Sequence, residues 1–296
     1  MKQFIDHITA RLLPCYPEDE ARSLAWWIAE ELTGLSRSQL LCGYKGTTNF
    51  PNTQDIVERL LHFEPIQYIF GHTLWNGLDL RVTPATLIPR PETAELVELI
   101  SNFKFQISNF KSSIRVLDIG TGSGCIAIAL KKAHPEWQIT GIDISPEAIE
   151  IARENARRNQ VEVDFQVADI FSDQMAKSLH QWYLVNDQMV NVVVSNPPYI
   201  RESERSSMRA NVLNYEPSSA LFVPDSDPLR FYRRIAGLFH PTPHTVHHTP
   251  YTFLFFEINE AFGEELSALL RGLGYRDIHL TKDIYGKDRI IEARMA

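Results

Sequence analysis

The sequence predicts an α/β protein: a mainly parallel sheet covered by helices on both faces, a closing antiparallel hairpin, and a small all-α domain in front. Three observations carry that reading. Roughly the first seventy residues place apolar side chains at helical spacing. Beyond them, apolar runs alternate with amphipathic ones, as strand–helix–strand units do. The last two apolar runs are separated only by "KDIYGKD", a connection too short for a parallel crossover.

At 296 residues the chain is long enough for about two domains, each with its own core. In "PEDEARSLAWWIAEELTGL", Leu24, Trp27, Ile28, Leu32 and Leu35 recur at helical spacing, behind acidic residues that suit a helix start. Trp26 and Trp27 read as bundle packing rather than as an aromatic platform. In "NTQDIVERLLHF", Asn52 or Thr53 can cap and Ile56, Val57, Leu60 and Leu61 form one face. Next, "TLWNGLDLRV" reads as a hairpin around Asn76-Gly77. Strands are expected at 114–119, 138–144, 164–168, 191–195, 251–258, 278–281 and 289–292, and helices at 125–133, 146–159, 228–238 and 260–272. The expected division is a helical domain over 1–72, a hairpin linker over 73–88 and the sheet domain over 89–296.

Three stretches read as insertions: 101–113 with its repeated SNFK, 173–190 with its repeated DQM, and 240–252 with His240, His244, His247 and His248. The surrounding prolines and threonines make the histidine stretch a surface loop, so no metal site is expected. Hydrophobic residues make up 44%, charged residues 22%, and the net charge is −8. That balance weighs against a bare nucleic-acid binder, which shows a basic footprint. Three cysteines without a CxxC pair predict reduced thiols, and no run reaches the length of a membrane span. Asp6, His7 and Arg11 interrupt the first segment, which therefore does not read as a signal peptide. A soluble, cytoplasmic protein is expected.

The segment "RVLDIGTGSGCIAIAL" ends a hydrophobic strand in Asp118-Ile119-Gly120 and opens a helix through Gly122 and Gly124. Glycines allow the tight turn and a close approach by a ligand, and the helix start offers free N–H groups. The following strand, in "QITGIDISPEAIEIAREN", ends at Asp143, with Ser145 as N-cap and Pro146 in the first turn. A carboxylate there can accept both hydroxyls of a ribose. Together these features resemble motifs I and II of the class I S-adenosylmethionine-dependent methyltransferases. The resemblance implies S-adenosylmethionine as cofactor, held by Gly120, Thr121, Gly122, Ser123 and Gly124. It implies Asp143 at the ribose with Ile144 also beside the cofactor, and Asp169 and Ile170, in "FQVADIF", flanking the adenine.

The fourth strand runs into "SNPPYI". A primary amide or an aromatic amine is a poor nucleophile because its lone pair is delocalised. Methylating it requires acceptors that grip the N–H groups and turn the lone pair toward the donor. Asn196 offers a side-chain oxygen and Pro197 its carbonyl. Pro197 and Pro198 restrict the backbone and aim both. Tyr199 offers a flat face to a planar group. Asn196, Pro197 and Tyr199 are therefore the candidate catalytic residues, with Pro198 completing the substrate contact. The motif resembles that of amino-methyltransferases, acting on adenine N6 or glutamine N5, and does not choose between them.

"EPIQYIFGHTLWNGLDLRVTPATLIPRPETAELVE", with "NYEPSSALF" and "DIYGKDRIIEA", resembles the PrmC/HemK family over nearly the whole chain. That family methylates the glutamine of the Gly-Gly-Gln loop of class-1 peptide chain release factors. The resemblance implies a Rossmann-like seven-stranded sheet, a helical domain that helps dock the release factor, and Arg90 and Thr93 at the cofactor wall, with Asn196 also beside it. The chain departs from the family pattern at Pro228, Asn259 and Phe262. Two other readings stand beside this one: an adenine-N6 methyltransferase acting on nucleic acid, and a catalytically silent binding protein. The release factor is the expected partner, without nucleic acid, membrane or metal.

Overall fold

The computed structural model describes residues 1–103, 114–173, 175, 190–239 and 252–295. The three expected insertions fall largely outside these residues. The chain divides into two compact units. One comprises Met1–His72 with Met208–Tyr215; the other comprises Thr73–Ser207 with Glu216–Ala296.

The helical unit is built from α1 (Lys2–Leu12), α2 (Glu18–Thr33), α3 (Arg37–Leu41), α4 (Thr53–Leu61) and α5 (Ile66–Phe70). Its core joins Phe4, Ile5, Ile8 and Leu12 of α1 to Ile56, Val57 and Leu60 of α4. The buried stripe of α2 is Ala21, Ala25, Trp26, Ile28 and Ala29, one step round from the expected face. Alanine lets α1 approach closely, while Leu24, Trp27, Leu32 and Leu35 pack on the flanks. Trp26 is buried and carries the Arg37 guanidinium 4.8 Å above its ring. Asn52 precedes α4 but its side chain makes no capping bond, because the backbone there is already helical (φ −85°, ψ −4°).

In the second unit, β1 (His72–Trp75) and β2 (Leu78–Arg81) form the hairpin around Asn76-Gly77, both with positive φ. The hairpin, expected as a linker, clusters with the sheet. Trp75, Leu78 and Leu80 are buried in the same core as Val116 and Val194. A sheet of seven strands follows: β3 (Arg115–Ile119), β4 (Gln138–Asp143), β5 (Asp164–Val167), β6 (Val192–Ser195), β9 (Phe253–Glu257), β10 (Tyr275–Lys282) and β11 (Asp288–Met295). Its order is β10-β11-β9-β6-β3-β4-β5. Five strands run parallel, and β11 and β10 close the sheet antiparallel. The short strands β7 (Ile200–Arg201) and β8 (Phe222–Val223) pair apart from it.

Side chains that alternate along a strand serve opposite faces. Val192, Val194, Phe253 and Phe255 enter one core with α6 (Thr93–Asn102) and α7 (Cys125–Ala133). Val193, Leu254 and Phe256 enter the other. α8 (Pro146–Arg158) follows β4, and α9 (Ala210–Tyr215) is the short helix that clusters with the first unit. The second core is closed by α10 (Arg230–Leu238) and α11 (Gly263–Gly272). The final strands extend well beyond the expected 278–281 and 289–292. β10 lies at the sheet's edge and alternates little, so its apolar signal is weak.

Candidate active site

Strand order reverses between β3 and β6, because β4 and β5 lie on one side of β3 while β6 and β9 lie on the other. Open α/β sheets bind ligands at such a point, beyond the carboxyl ends of the strands. The register states what stands there. Ile119 pairs with Ser195 and with Ile142, and Ser195 pairs with Phe256. One residue further on, Glu257, Asn196, Gly120 and Asp143 form a row across four strand ends. A cavity of about 530 Å³ opens above it.

The cofactor half is shaped by glycine. Gly120 and Gly122 have φ of +72° and +53°, and a Cβ at either would meet open space. Gly124 (φ +80°) faces inward, where a Cβ would come within 3.0 Å of Phe165 and 3.1 Å of Ala152 and Ile128. Gly124 therefore closes the loop against α8 and does not line the cavity, whereas Gly120, Thr121, Gly122 and Ser123 do. In the loop ahead of α7 the N–H groups are largely occupied. Gly120 and Thr121 donate to the Ile142 carbonyl at 2.8 and 2.9 Å, Gly124 to the Thr121 carbonyl, and Gly122 to Asp143 Oδ2. This part of the loop offers bare backbone rather than an anion cradle, which suits a ligand without phosphate.

Asp143 accepts from Gly122 N at 2.9 Å through Oδ2 and from Ser145 N at 3.0 Å through Oδ1. Each oxygen keeps a lone pair for a further donor. Burial raises its pKa above the usual carboxylate value, opposed by the same backbone bonds. Ser145 caps α8 by accepting from Ala148 N at 3.1 Å, with Pro146 in the first turn. Asn155, fully buried, accepts from Arg81 N and donates to the carbonyls of Arg81 and Ser123. It thereby joins the hairpin to the glycine loop. Asp118 is fully buried below the loop, accepts from the Thr121 hydroxyl at 2.6 Å, and is pushed up to about 7 by desolvation. Ile144, Asp169, Ile170 and Phe171 form the far wall, with Ile144 62% exposed and Phe171 40% exposed. These are apolar surfaces left open at a cavity mouth.

The substrate half is a hydrogen-bonded chain. Asn196 Nδ2 donates to Thr93 Oγ1 at 3.2 Å, Thr93 Oγ1 donates to Glu257 Oε2 at 2.7 Å, and the Tyr199 hydroxyl donates to Glu257 Oε1 at 3.0 Å. Glu257 is 1% exposed, and burial raises its pKa, while Thr93, Tyr199 and Arg289 stabilise the charge. Asn196, Pro197 and Pro198 line the cavity; Tyr199 does not, and packs on the second core. Arg90 also lines the cavity while its guanidinium bonds the buried Glu216 at 2.7 Å; Glu216 also accepts from Ile88 N. The Arg90 carbonyl accepts from Trp75 Nε1, so hairpin and pocket wall are fixed together.

Glu257 and Glu216 were given no role by sequence reasoning. The available signal was a carboxylate ending the apolar run "FLFFE" beside the "NPPY" strand, and an acid before Pro217. Among the departures, Asn259 bonds Ala261 N through its oxygen and the Tyr199 carbonyl through its nitrogen, which secures the turn after β9. Phe262 lies under Arg201 at 5.3 Å. Nothing in the structure explains Pro228.

This row of groups on this strand order defines a Rossmann-like class I S-adenosylmethionine-dependent methyltransferase. Residues 3–71 match the PrmC N-terminal domain and residues 110–242 match a methyltransferase domain. The chain is 40% identical over 296 residues to a release factor glutamine methyltransferase of Bacteroides thetaiotaomicron, covering 99% of each. It is 37% identical over 295 residues to that of Flavobacterium psychrophilum, covering 99% of this chain and 98% of the relative. The chain belongs to the release factor glutamine methyltransferase family. The fold is shared with the hMettl16 catalytic domain solved with the MAT2A 3'UTR hairpin 6, at a TM-score of 0.50, 16% identity, and coverage of 74% of this chain and 76% of that one.

S-Adenosylmethionine is the cofactor of this family, and the site fits it. Bare glycines leave room for a nucleoside, Asp143 holds oxygens ready for hydroxyl donors, and open apolar walls suit a flat base. Among the described residues no helix is long and apolar enough to cross a membrane, and no group of His, Cys, Asp and Glu could hold a metal ion.

Proposed function

We propose that this protein methylates the side-chain amide nitrogen of the glutamine in the Gly-Gly-Gln loop of class-1 peptide chain release factors, in the cytoplasm, in support of translation termination. The observation that carries the reading is the single row of Asp143, Gly120 and Asn196 across adjacent strand ends beside one cavity. It sets a nucleoside-holding half against an amide-gripping half. The helical unit, with residues 1–72, serves to dock the substrate protein.

In this reading Gly120, Thr121, Gly122, Ser123 and Gly124 shape the cofactor seat. Asp143 takes the ribose hydroxyls, Ile144, Asp169 and Ile170 flank the adenine, and Arg90 and Thr93 complete the wall. When bound, S-adenosylmethionine supplies an electrophilic methyl group. Asn196 Oδ1 and the Pro197 carbonyl accept the two N–H bonds of the substrate amide and turn its lone pair toward that group. Pro197 and Pro198 hold both acceptors in place, and Tyr199, fixed through its hydroxyl and packed on the second core, backs the turn that carries them. Alignment of this kind contributes ~7–11 kcal/mol to a barrier. The extra amide proton becomes acidic once the methyl group is attached and leaves to water, so no general base is required.

The test is to incubate the protein with methyl-labelled S-adenosylmethionine and a release factor, and separately with DNA and RNA, and to locate the label by mass spectrometry. Label on the glutamine is expected. Label on adenine alone overturns the reading in favour of a nucleic-acid enzyme, and no label anywhere favours a silent binding protein.

A further inference from the structure

The polarity of an asparagine amide has to be set by its neighbours, because its two ends are nearly isosteric and chemically opposite. For Asn196 to accept from a substrate NH2 group its oxygen must face the substrate; reversed, two sets of donors would confront one another. The structure shows what decides this. Thr93 lies between Asn196 and Glu257, with Oγ1 3.2 Å from Asn196 Nδ2 and 2.7 Å from Glu257 Oε2. A hydroxyl carries one proton. A carboxylate only accepts, so the Thr93 proton points to Glu257 and the threonine oxygen can only accept from Asn196. The NH2 end of Asn196 is thereby drawn to Thr93, and Oδ1 is left for the site.

We propose that Glu257 is a positioning residue that fixes the amide polarity of Asn196 through the hydroxyl of Thr93. This rests on the reading that Asn196 Oδ1 grips the substrate amide. Several features fit the role. Glu257 follows Phe256, the register partner of Ser195, so it stands directly beside Asn196 on the adjacent strand. Its second oxygen takes the Tyr199 hydroxyl, and its backbone carbonyl takes the Tyr232 hydroxyl at 3.0 Å, which holds the strand end. Arg289 faces the carboxylate and is itself held by Asp283 at 3.1 Å. The closing hairpin thus supplies a positive charge that opposes the rise burial gives this carboxylate, beside the hydroxyls of Thr93 and Tyr199. Glu257 touches neither substrate nor cofactor in this scheme. It acts by leaving Thr93 no proton to give.

The experiment measures kcat and KM for methyl transfer to a release factor, and the Kd of S-adenosylhomocysteine by calorimetry, in the full chain. Glu257→Met, which removes both acceptor oxygens, is expected to lower kcat by at least about 30-fold with Kd changed by less than about threefold. Thr93→Val should lower kcat similarly, and Thr93→Ser should stand at least about tenfold above Thr93→Val because the hydroxyl is restored. The double variant Glu257→Met/Thr93→Val should be no slower than the slower single variant, since both act through one amide. The inference is overturned by a Glu257→Met enzyme within about threefold of wild-type kcat, by a loss of cofactor affinity matching the loss of kcat, or by losses that multiply in the double variant. If Glu257→Met fails to fold, the two Thr93 variants decide: equal rates for Ser and Val overturn it. Asn196→Ala separates this inference from the reading beneath it. A fast Asn196→Ala enzyme removes the gripping role itself, whereas a slow one beside a fast Glu257→Met removes only the relay.

Discussion

At the residue scale, the reading places different work on Asn196 and Asp143, and the two can be separated. Asn196→Ala removes an acceptor needed only as the amide reacts, so kcat should fall by about 10²–10³-fold with cofactor affinity nearly unchanged. Stopped-assay rates beside calorimetry check this, and wild-type turnover would end the gripping role. Asp143→Ala should do the reverse first. It removes the expected ribose acceptor and the anchor of Gly122 N, so S-adenosylhomocysteine binding should weaken by about 10–150-fold, the scale of hydrogen bonds to a charged group. These residues were legible because their signals are local: a glycine loop, an acid ending the next strand, and two prolines after an amide. Glu257 and Glu216 were not. Their bonds to Thr93 and Arg90 span 164 and 126 residues, and no periodicity encodes a partner that far away.

At the scale of elements, the loop between β3 and α7 sits on a buried acid whose protonation bears on stability. The Asp118 carboxyl is raised from 3.8 to about 7, chiefly by desolvation, with the Thr121 bond acting in the opposite direction. A raised pKa means the folded state holds the proton more tightly than the unfolded chain does. The stabilisation is therefore fully present below pH 3.8 and is lost as pH rises through about 7. Asp118→Asn keeps an acceptor for Thr121 and cannot ionise. Its melting temperature relative to wild type should climb between about pH 4 and 7 and level off above, and a pH-independent difference would refute the account. Ser145→Ala removes the α8 cap and should cost about 0.5–2 kcal/mol in denaturant unfolding. Both strands and helices of the sheet were readable from their apolar spacing. The face of α2 was misjudged because its contact is made by alanines, which a search for large apolar side chains passes over.

At the scale of the whole molecule, the three cysteines report independently on packing. Cys42 is exposed, Cys15 intermediate and Cys125 buried. Desolvation pushes the Cys125 thiol up to about 12, which suppresses the reactive thiolate. Brief alkylation of the native protein followed by peptide mass mapping should mark Cys42 first and leave Cys125 unmarked until denaturant is added. Early labelling of Cys125 would contradict the packing around the glycine loop. Domain organisation was only partly readable at this scale. The sequence presents the helical unit as one continuous run, and nothing local in "MRANVLNY" announces that it clusters with residues 1–72.

That discontinuity has a consequence during synthesis. Within the helical unit, Arg209 pairs with Glu20 and the Tyr215 hydroxyl donates to the His62 carbonyl. The ribosome delivers His62 and Glu20 early and their partners 153 and 189 residues later, a delay on the order of ten seconds or more at ordinary elongation rates. The N-terminal segment therefore leaves the exit tunnel without its last piece. Its assembly is completed only after most of the sheet strands have been made, which ties the maturation of the first unit to the progress of the second.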